Sequence, residues 1–279
     1  MSLVQDLGRP GLGALGVSVS GAADRGAFRL GARLLAQDYA AAAIEVTLGG
    51  LSVRAAGDLM VALTGAEAPV TVDGRAVGFC SPFPMRTGQT LRMGTPTAGL
   101  RTYLSVRGGV DVAPVLGSRA TDTLSGIGPP LLRTGDVLPV GPPPREFPVV
   151  DLAPAPPPVI GLLAVRALAG PRDDWLADPA ALNAATWRVS SRSDRVGIRL
   201  EGPALQRHSA HDGQELPSEG VVRGGIQVPT GGEPVLFLAD HPVTGGYPVV
   251  AVVLDDDLDR AAQAVPGQEI RIVLVQPDD

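Results

Sequence analysis

The eighteen residues from Gly141 to Pro158, GPPPREFPVVDLAPAPPP, include eight prolines. Locked φ angles and missing N–H donors at that density exclude a packed helix or a central strand. The stretch reads as a semi-rigid linker over 142–158. It separates an N-terminal domain, 1–141, from a C-terminal domain, 159–279, each of ordinary domain size.

The rest of the chain also turns often. Its 36 glycines and 27 prolines are about twice the usual share of roughly 12%. At 44% hydrophobic and 19% charged, it still has enough apolar material for a core. The glycines and prolines therefore punctuate short strands instead of producing disorder. A mainly β chain with a few short helices is expected.

All 23 basic residues are arginine, and no lysine occurs. A P-loop, a Schiff-base enzyme and a biotin or lipoyl carrier each need a lysine, so none of these can be built here. A net charge of −6 argues against nucleic acid as a partner, because phosphate neutralisation needs a basic surface. Cys80 is the single cysteine, which excludes an intrachain disulfide and a thiolate zinc cluster. The N-terminal residues carry no export signal and no apolar run reaches membrane-spanning length. The expected location is the cytoplasm, with no membrane partner.

Apolar alternation predicts strands at Ile44 to Val53, Leu59 to Thr64, Val70 to Val77, Thr90 to Met93 and Leu100 to Val106. Strands are also predicted at Trp187 to Ser190, Gly197 to Leu200, Gly225 to Val228, Val235 to Leu238 and Val249 to Leu254. Helices are predicted after Asp24, from Asp178-Pro179 to Ala185, and from Asp255 to Val265. A glycine turn placed directly before a strand recurs at Thr87 to Leu91, Thr134 to Leu138 and Pro266 to Ile270. Its presence in both halves suggests two related β-barrels.

Several motifs fail on context. Gly11-Leu12-Gly13-Ala14-Leu15-Gly16 spells a dinucleotide fingerprint, yet Pro10 precedes it and Val17-Ser18-Val19-Ser20 stands where a helix should start. Asp255-Asp256-Asp257 with Asp259 lacks the glycine and closing glutamate of a calcium loop and reads as an acidic helix start. His208 and His211 lie in a polar stretch that reads as an exposed loop. No metal set of the protein's own is expected.

Chemistry concentrates where glycine meets polar residues. VQDLGRPG and the VSGAAD run come first, then GSRATD, then GPRDDW and SDRVGIRLEGP, and finally SEGVV, GGIQVP and TGGYP. In this order, over essentially the whole chain, they resemble one family with several names: KipA, allophanate hydrolase subunit 2, the biotin-dependent carboxyltransferase-domain subunit, and the C subunit of 5-oxoprolinase. The chain departs from the family's pattern at His241-Pro242-Val243, where an Arg-Gln-Thr stretch is usual, and at Val249, where lysine is common.

The resemblance implies two cyclophilin-like β halves and a complex with a KipI-like carboxyltransferase subunit and a LamB/YcsF-like subunit. Together these would open 5-oxoproline to L-glutamate with ATP and Mg2+. Alternatives are a carboxyltransferase subunit related to allophanate hydrolase and urea carboxylase, and a non-catalytic regulator of a KipI-like partner. Opening a lactam with ATP needs cations for phosphate, an acid for magnesium and a clamp for the substrate carboxylate. Asp6, Arg9 and Asp240 are the catalytic candidates. Asp24, Arg119, Asp122, Arg195, Gln227, Thr244, Gly245, Gly246 and Tyr247 are candidates for holding substrate or nucleotide. Arginine suits a bidentate clamp, and paired glycines let backbone approach a ligand. On this reading Asp240→Asn abolishes activity of the complex with little change in melting temperature.

Overall fold

A computed structural model of the chain describes residues 1–276. Two compact units are present. The first comprises Met1–Arg9, Ser20–Asp122 and Gly126–Pro158, and the second Pro10–Val19, Thr123–Ser125 and Val159–Asp279. As expected, the chain is mainly β, with three short α-helices among the described residues.

In the first unit an antiparallel five-stranded sheet runs Ser2–Gln5, Ala43–Thr47, Arg101–Val106, Leu59–Gly65, Pro82–Met85. A four-stranded sheet runs Ser52–Arg54, Thr90–Met93, Val70–Val72, Arg75–Ala76. Val46, Leu63 and Leu104 of the first sheet share one apolar core with Val70, Leu91 and Met93 of the second. Helix α1, Arg25–Leu34, covers the other face of the five-stranded sheet. Asp24 caps it, accepting the Ala27 N–H at 2.8 Å. Gly31 lets α1 lie close, because a Cβ there would stand 2.3 Å from Ser105 Oγ. Arg101–Val106 is therefore covered on both sides, and all six of its residues are buried.

Two predicted strands are each divided by left-handed backbone. Ile44 to Val53 breaks at Leu48, Gly49 and Gly50, with φ of 58°, 71° and 79°. A Cβ on Gly49 would meet Gly94 O at 1.8 Å. Val70 to Val77 is a hairpin turning at Asp73-Gly74, φ 50° and 80°, the signature of a type I′ turn. Thr134 to Leu138 forms a turn but no strand, leaving Val137 exposed. The proline-rich residues lie along this unit, held largely through their carbonyls. Arg107 Nη2 donates to Pro144 O at 2.8 Å and to Glu146 O, and Ser81 Oγ donates to Asp151 O.

The second unit is a closed seven-stranded barrel in the order Leu163–Ala169, Val249–Val253, Gly225–Gln227, Val235–Phe237, Gly197–Glu201, Trp187–Val189, Glu269–Leu274. An odd ring cannot close with antiparallel pairs alone. The closing pair, Leu163↔Ile270 to Ala167↔Leu274, is parallel. Period-two alternation fills the interior: Leu163, Val165 and Ala167 are buried while Ala164 and Arg166 face outward. Ile226, Leu236, Ala251, Ile270 and Ile272 complete the same core.

Helix α2, Ala181–Ala184, and helix α3, Asp255–Ala261, are shorter than their sequence signals. Gly13–Leu15 makes a single 3-10 turn instead of the strand-to-helix junction a dinucleotide loop requires. No helix among the described residues is long and apolar enough to cross a membrane.

Candidate functional site

The candidate residues assemble into buried polar clusters within each unit. In the first unit the VQDLGRPG turn is built around Asp6. Its Oδ1 accepts from Gly8 N at 2.7 Å and from Ser118 Oγ at 2.6 Å, and its Oδ2 accepts from Arg119 N at 2.6 Å. Gly21, φ 93°, passes so close that a Cβ would lie 2.7 Å from Gly8 N. That approach allows Ala22 N to reach Asp6 O at 2.8 Å. The first three motifs are thus one interlocked structure. Gln5 Nε2 donates to Thr121 O at 2.7 Å, and Thr121 N to Val4 O at 3.0 Å.

Arg119 and Arg9 diverge. The Arg119 guanidinium turns to the surface, donating to Asp111 Oδ1 at 2.6 Å and to Val112 O at 2.9 Å. Arg9 is 2% exposed, donates Nη2 to Ala120 O and reaches Val115 O only at 3.4 Å. Its Nη1 is buried without a partner, as is Gln5 Oε1. Asp122 is buried, its backbone closing a turn with Gly126 and Ile127.

Beside this turn stands a network that the sequence signals did not single out. Glu45, fully buried in strand Ala43–Thr47, accepts from Tyr103 Oη at 2.7 Å and from Ala23 N at 3.0 Å, with Arg101 Nε at 3.7 Å. Tyr103 Oη in turn accepts from Asp24 N at 2.9 Å. Burial, then the negative charges of Glu45 and Asp24, push the Tyr103 hydroxyl well above its ordinary range. The visible signal was a carboxylate inside an otherwise apolar strand, Ala-Ile-Glu-Val-Thr, since such a group is costly to bury unpaired.

In the second unit Arg195 and Asp240 form a two-bond fork, Nε to Oδ2 at 2.9 Å and Nη2 to Oδ1 at 3.0 Å. Thr123 adds two more donors to Oδ2, its N at 2.9 Å and its Oγ1 at 2.7 Å. The backbone repeats the pairing, with Asp240 N donating to Arg195 O at 3.0 Å. Gln227 Nε2 donates to Tyr247 O at 2.8 Å directly beneath Gly245, where a Cβ would come within 2.6 Å of that nitrogen. Thr244–Gly245 pairs with Glu219–Gly220 as a small ribbon, flanked by an Arg172–Glu219 ion pair. Thr244, Gly246 and Tyr247 are exposed, unlike the other candidates of this unit. The His241 ring, among the residues that depart from the family pattern, donates Nδ1–H to Pro242 O at 2.7 Å.

Chemically, the buried charges fix backbone geometry, while the ribbon offers two hydroxyls and open backbone at Gly246 to a ligand. The Asp6 and Asp240 carboxylates already accept several donors each, and no three of His, Cys, Asp and Glu converge among the described residues.

The carboxyltransferase domain family, subdomains A and B, matches residues 15–274. The chain is 39% identical to the C subunit of 5-oxoprolinase from Escherichia coli, over 97% of this chain and 87% of that protein. It is 35% identical to urea amidolyase of Saccharomyces cerevisiae, over 97% of this chain and 16% of that much longer protein. Among solved structures, TTHA0988 superposes with a TM-score of 0.87 at 35% identity, over 98% of this chain and 53% of that one. The Kluyveromyces lactis urea amidolyase gives a TM-score of 0.92 at 29% identity, over 99% of this chain and 18% of that one. The chain thus spans about half of one solved relative and under a fifth of the other. It belongs to the carboxyltransferase domain family, subdomains A and B.

Proposed function

We propose that this chain is the carboxyltransferase-domain subunit of a cytoplasmic, ATP-dependent 5-oxoprolinase. In this reading it acts with a KipI-like and a LamB/YcsF-like subunit to open 5-oxoproline to L-glutamate. The observation that carries the reading is its likeness to two proteins named as the C subunit of 5-oxoprolinase, at 39% and 34% identity, each matched over 87% of its length. Asp6, Asp24, Asp122, Arg119, Arg195 and Asp240 act as positioning residues. Thr244, Gly246 and Tyr247 meet the ligand, with Gln227 and Gly245 setting the ribbon. ATP and Mg2+ would be held by the assembled complex.

A second reading, a carboxyltransferase of the urea amidolyase type, is supported by the TM-score of 0.92. With no lysine, the chain would accept the carboxyl group from a biotin carried elsewhere. Complementation separates the two. In an Escherichia coli strain lacking its own C subunit of 5-oxoprolinase, this chain should restore consumption of 5-oxoproline. Failure despite a stable, expressed chain favours the second reading.

A further inference from the structure

We propose that the Nη1 edge of Arg9 is a binding site for a small carboxylate, uncovered when the Val115–Ser118 turn lifts. Three arginines among the described residues are almost wholly buried: Arg9, Arg101 and Arg195. Arg195 is compensated by Asp240, and Arg101 has Glu45 at 3.7 Å. Arg9 has no carboxylate partner among the described residues, only two carbonyls, and its Nη1 is occluded with nothing to bond. Burying a guanidinium without a counter-charge is strongly unfavourable, and an orphaned buried donor adds to the cost. A counter-ion supplied from outside the chain resolves both.

The two walls around Arg9 differ in stiffness. Ala120 and Gly128 form one, and it is close-packed backbone: a Cβ on Gly128, φ 100°, would stand 2.0 Å from Ala120 O and 3.2 Å from Arg9 Nη2. The turn Val115–Ser118 forms the other. It is closed by two backbone bonds, 2.8 and 3.2 Å, and accepts one long hydrogen bond from Arg9, Nε to Val115 O at 3.4 Å. Its Leu116 is exposed and held at φ 52°, a conformation unfavourable for a side chain with a Cβ. Ser118 stays tied to Asp6 through its Oγ at 2.6 Å, so the turn lifts at Val115–Gly117, breaking its two closing bonds and relieving that strain. A single unbonded edge, Nη1, suits one carboxylate oxygen better than a phosphate, whose three charged oxygens each call for donors.

The site is argued from the uncompensated charge, and it rests on the 5-oxoprolinase reading only in naming 5-oxoproline as the natural carboxylate. The test is thermal melting of the full chain with acetate, 5-oxoproline, its uncharged counterpart 2-pyrrolidinone, inorganic phosphate, or sodium chloride at equal ionic strength. A carboxylate should raise the melting temperature by roughly 5 °C or more at a hundred times its Kd. 2-Pyrrolidinone and chloride should give no shift, and Arg9→Met should lose the carboxylate shift. If Arg9→Met does not fold, hydrogen exchange of the wild-type Val115 and Ser118 amides, whose bonds close the turn, should quicken on adding the carboxylate. Stabilisation by phosphate alone, a shift retained in Arg9→Met, or unchanged exchange would each overturn the proposal. Acetate binding without 5-oxoproline binding would keep the site and remove 5-oxoproline as its natural ligand, leaving the 5-oxoprolinase reading to the complementation test.

Discussion

Arg195 and Asp240 face each other through two hydrogen bonds of 2.9 and 3.0 Å while their side chains are 1% and 0% exposed. Removing one member of such a pair strands the other's charge out of water, which costs on the order of 3–5 kcal/mol. Asp240→Asn is therefore expected to lower stability markedly, contrary to the small change that the sequence alone suggested. Urea denaturation checks this, and an unchanged midpoint would mean that the pair is not holding the second unit together.

The paired glycines of TGGYP differ in tolerance. A methyl group at Gly245 drives into Gln227 Nε2 and displaces its bond to Tyr247, whereas at Gly246 the nearest atom lies 3.4 Å away. Gly245→Ala should cost about 1–2 kcal/mol through that lost bond, and Gly246→Ala should be near neutral. Melting curves of the two variants decide it, and equal losses would contradict the packing described.

Tyr103 links stability to alkaline pH. Its hydroxyl titrates well above the ordinary range because burial and the charges of Glu45 and Asp24 oppose ionisation. A raised folded-state value means that its contribution is complete below the unfolded value, about 10, and is lost as pH rises beyond it. Tyr103→Phe should be less stable than wild type at neutral pH, and that gap should narrow above pH 10. Denaturation midpoints from pH 7 to 11 test this, and a constant gap would contradict it.

At the acid end, Asp257 on α3 accepts from Arg166 N at 2.7 Å and from its Nε at 2.9 Å. Burial pushes its carboxyl up, but the Arg166 bonds together with the charges of Arg260 and Arg166 outweigh burial and hold it below the usual range. Its contribution is present above the unfolded value, about 4, and is lost as pH falls through the lower folded value. Asp257→Asn should therefore flatten the stability loss below pH 4. A variant whose acid limb matches wild type would refute the assignment.

Local chemistry made much of the fold legible. Asp24 announced α1 as its cap, and alternation announced the strands lining the barrel. Left-handed turns at Leu48-Gly49-Gly50 and Asp73-Gly74 were harder to read, because apolar residues continue through them. Strand Leu163–Ala169 was hidden behind the proline-rich stretch, and its parallel partner lies about a hundred residues away. At the site, glycine-polar motifs located the right segments but not the bonding. Whether Arg119 or Ser118 reaches Asp6 depends on tertiary placement, as does the role of Glu45, which reads in sequence as one acid within a strand.

Reconstitution decides whether this chain works as a 5-oxoprolinase subunit. This chain, combined with the two proposed partner subunits, ATP, Mg2+ and 5-oxoproline, should release glutamate and ADP, and omitting this chain should abolish both. Glutamate formed equally well without it, or a stable three-part complex that forms none, would contradict the account.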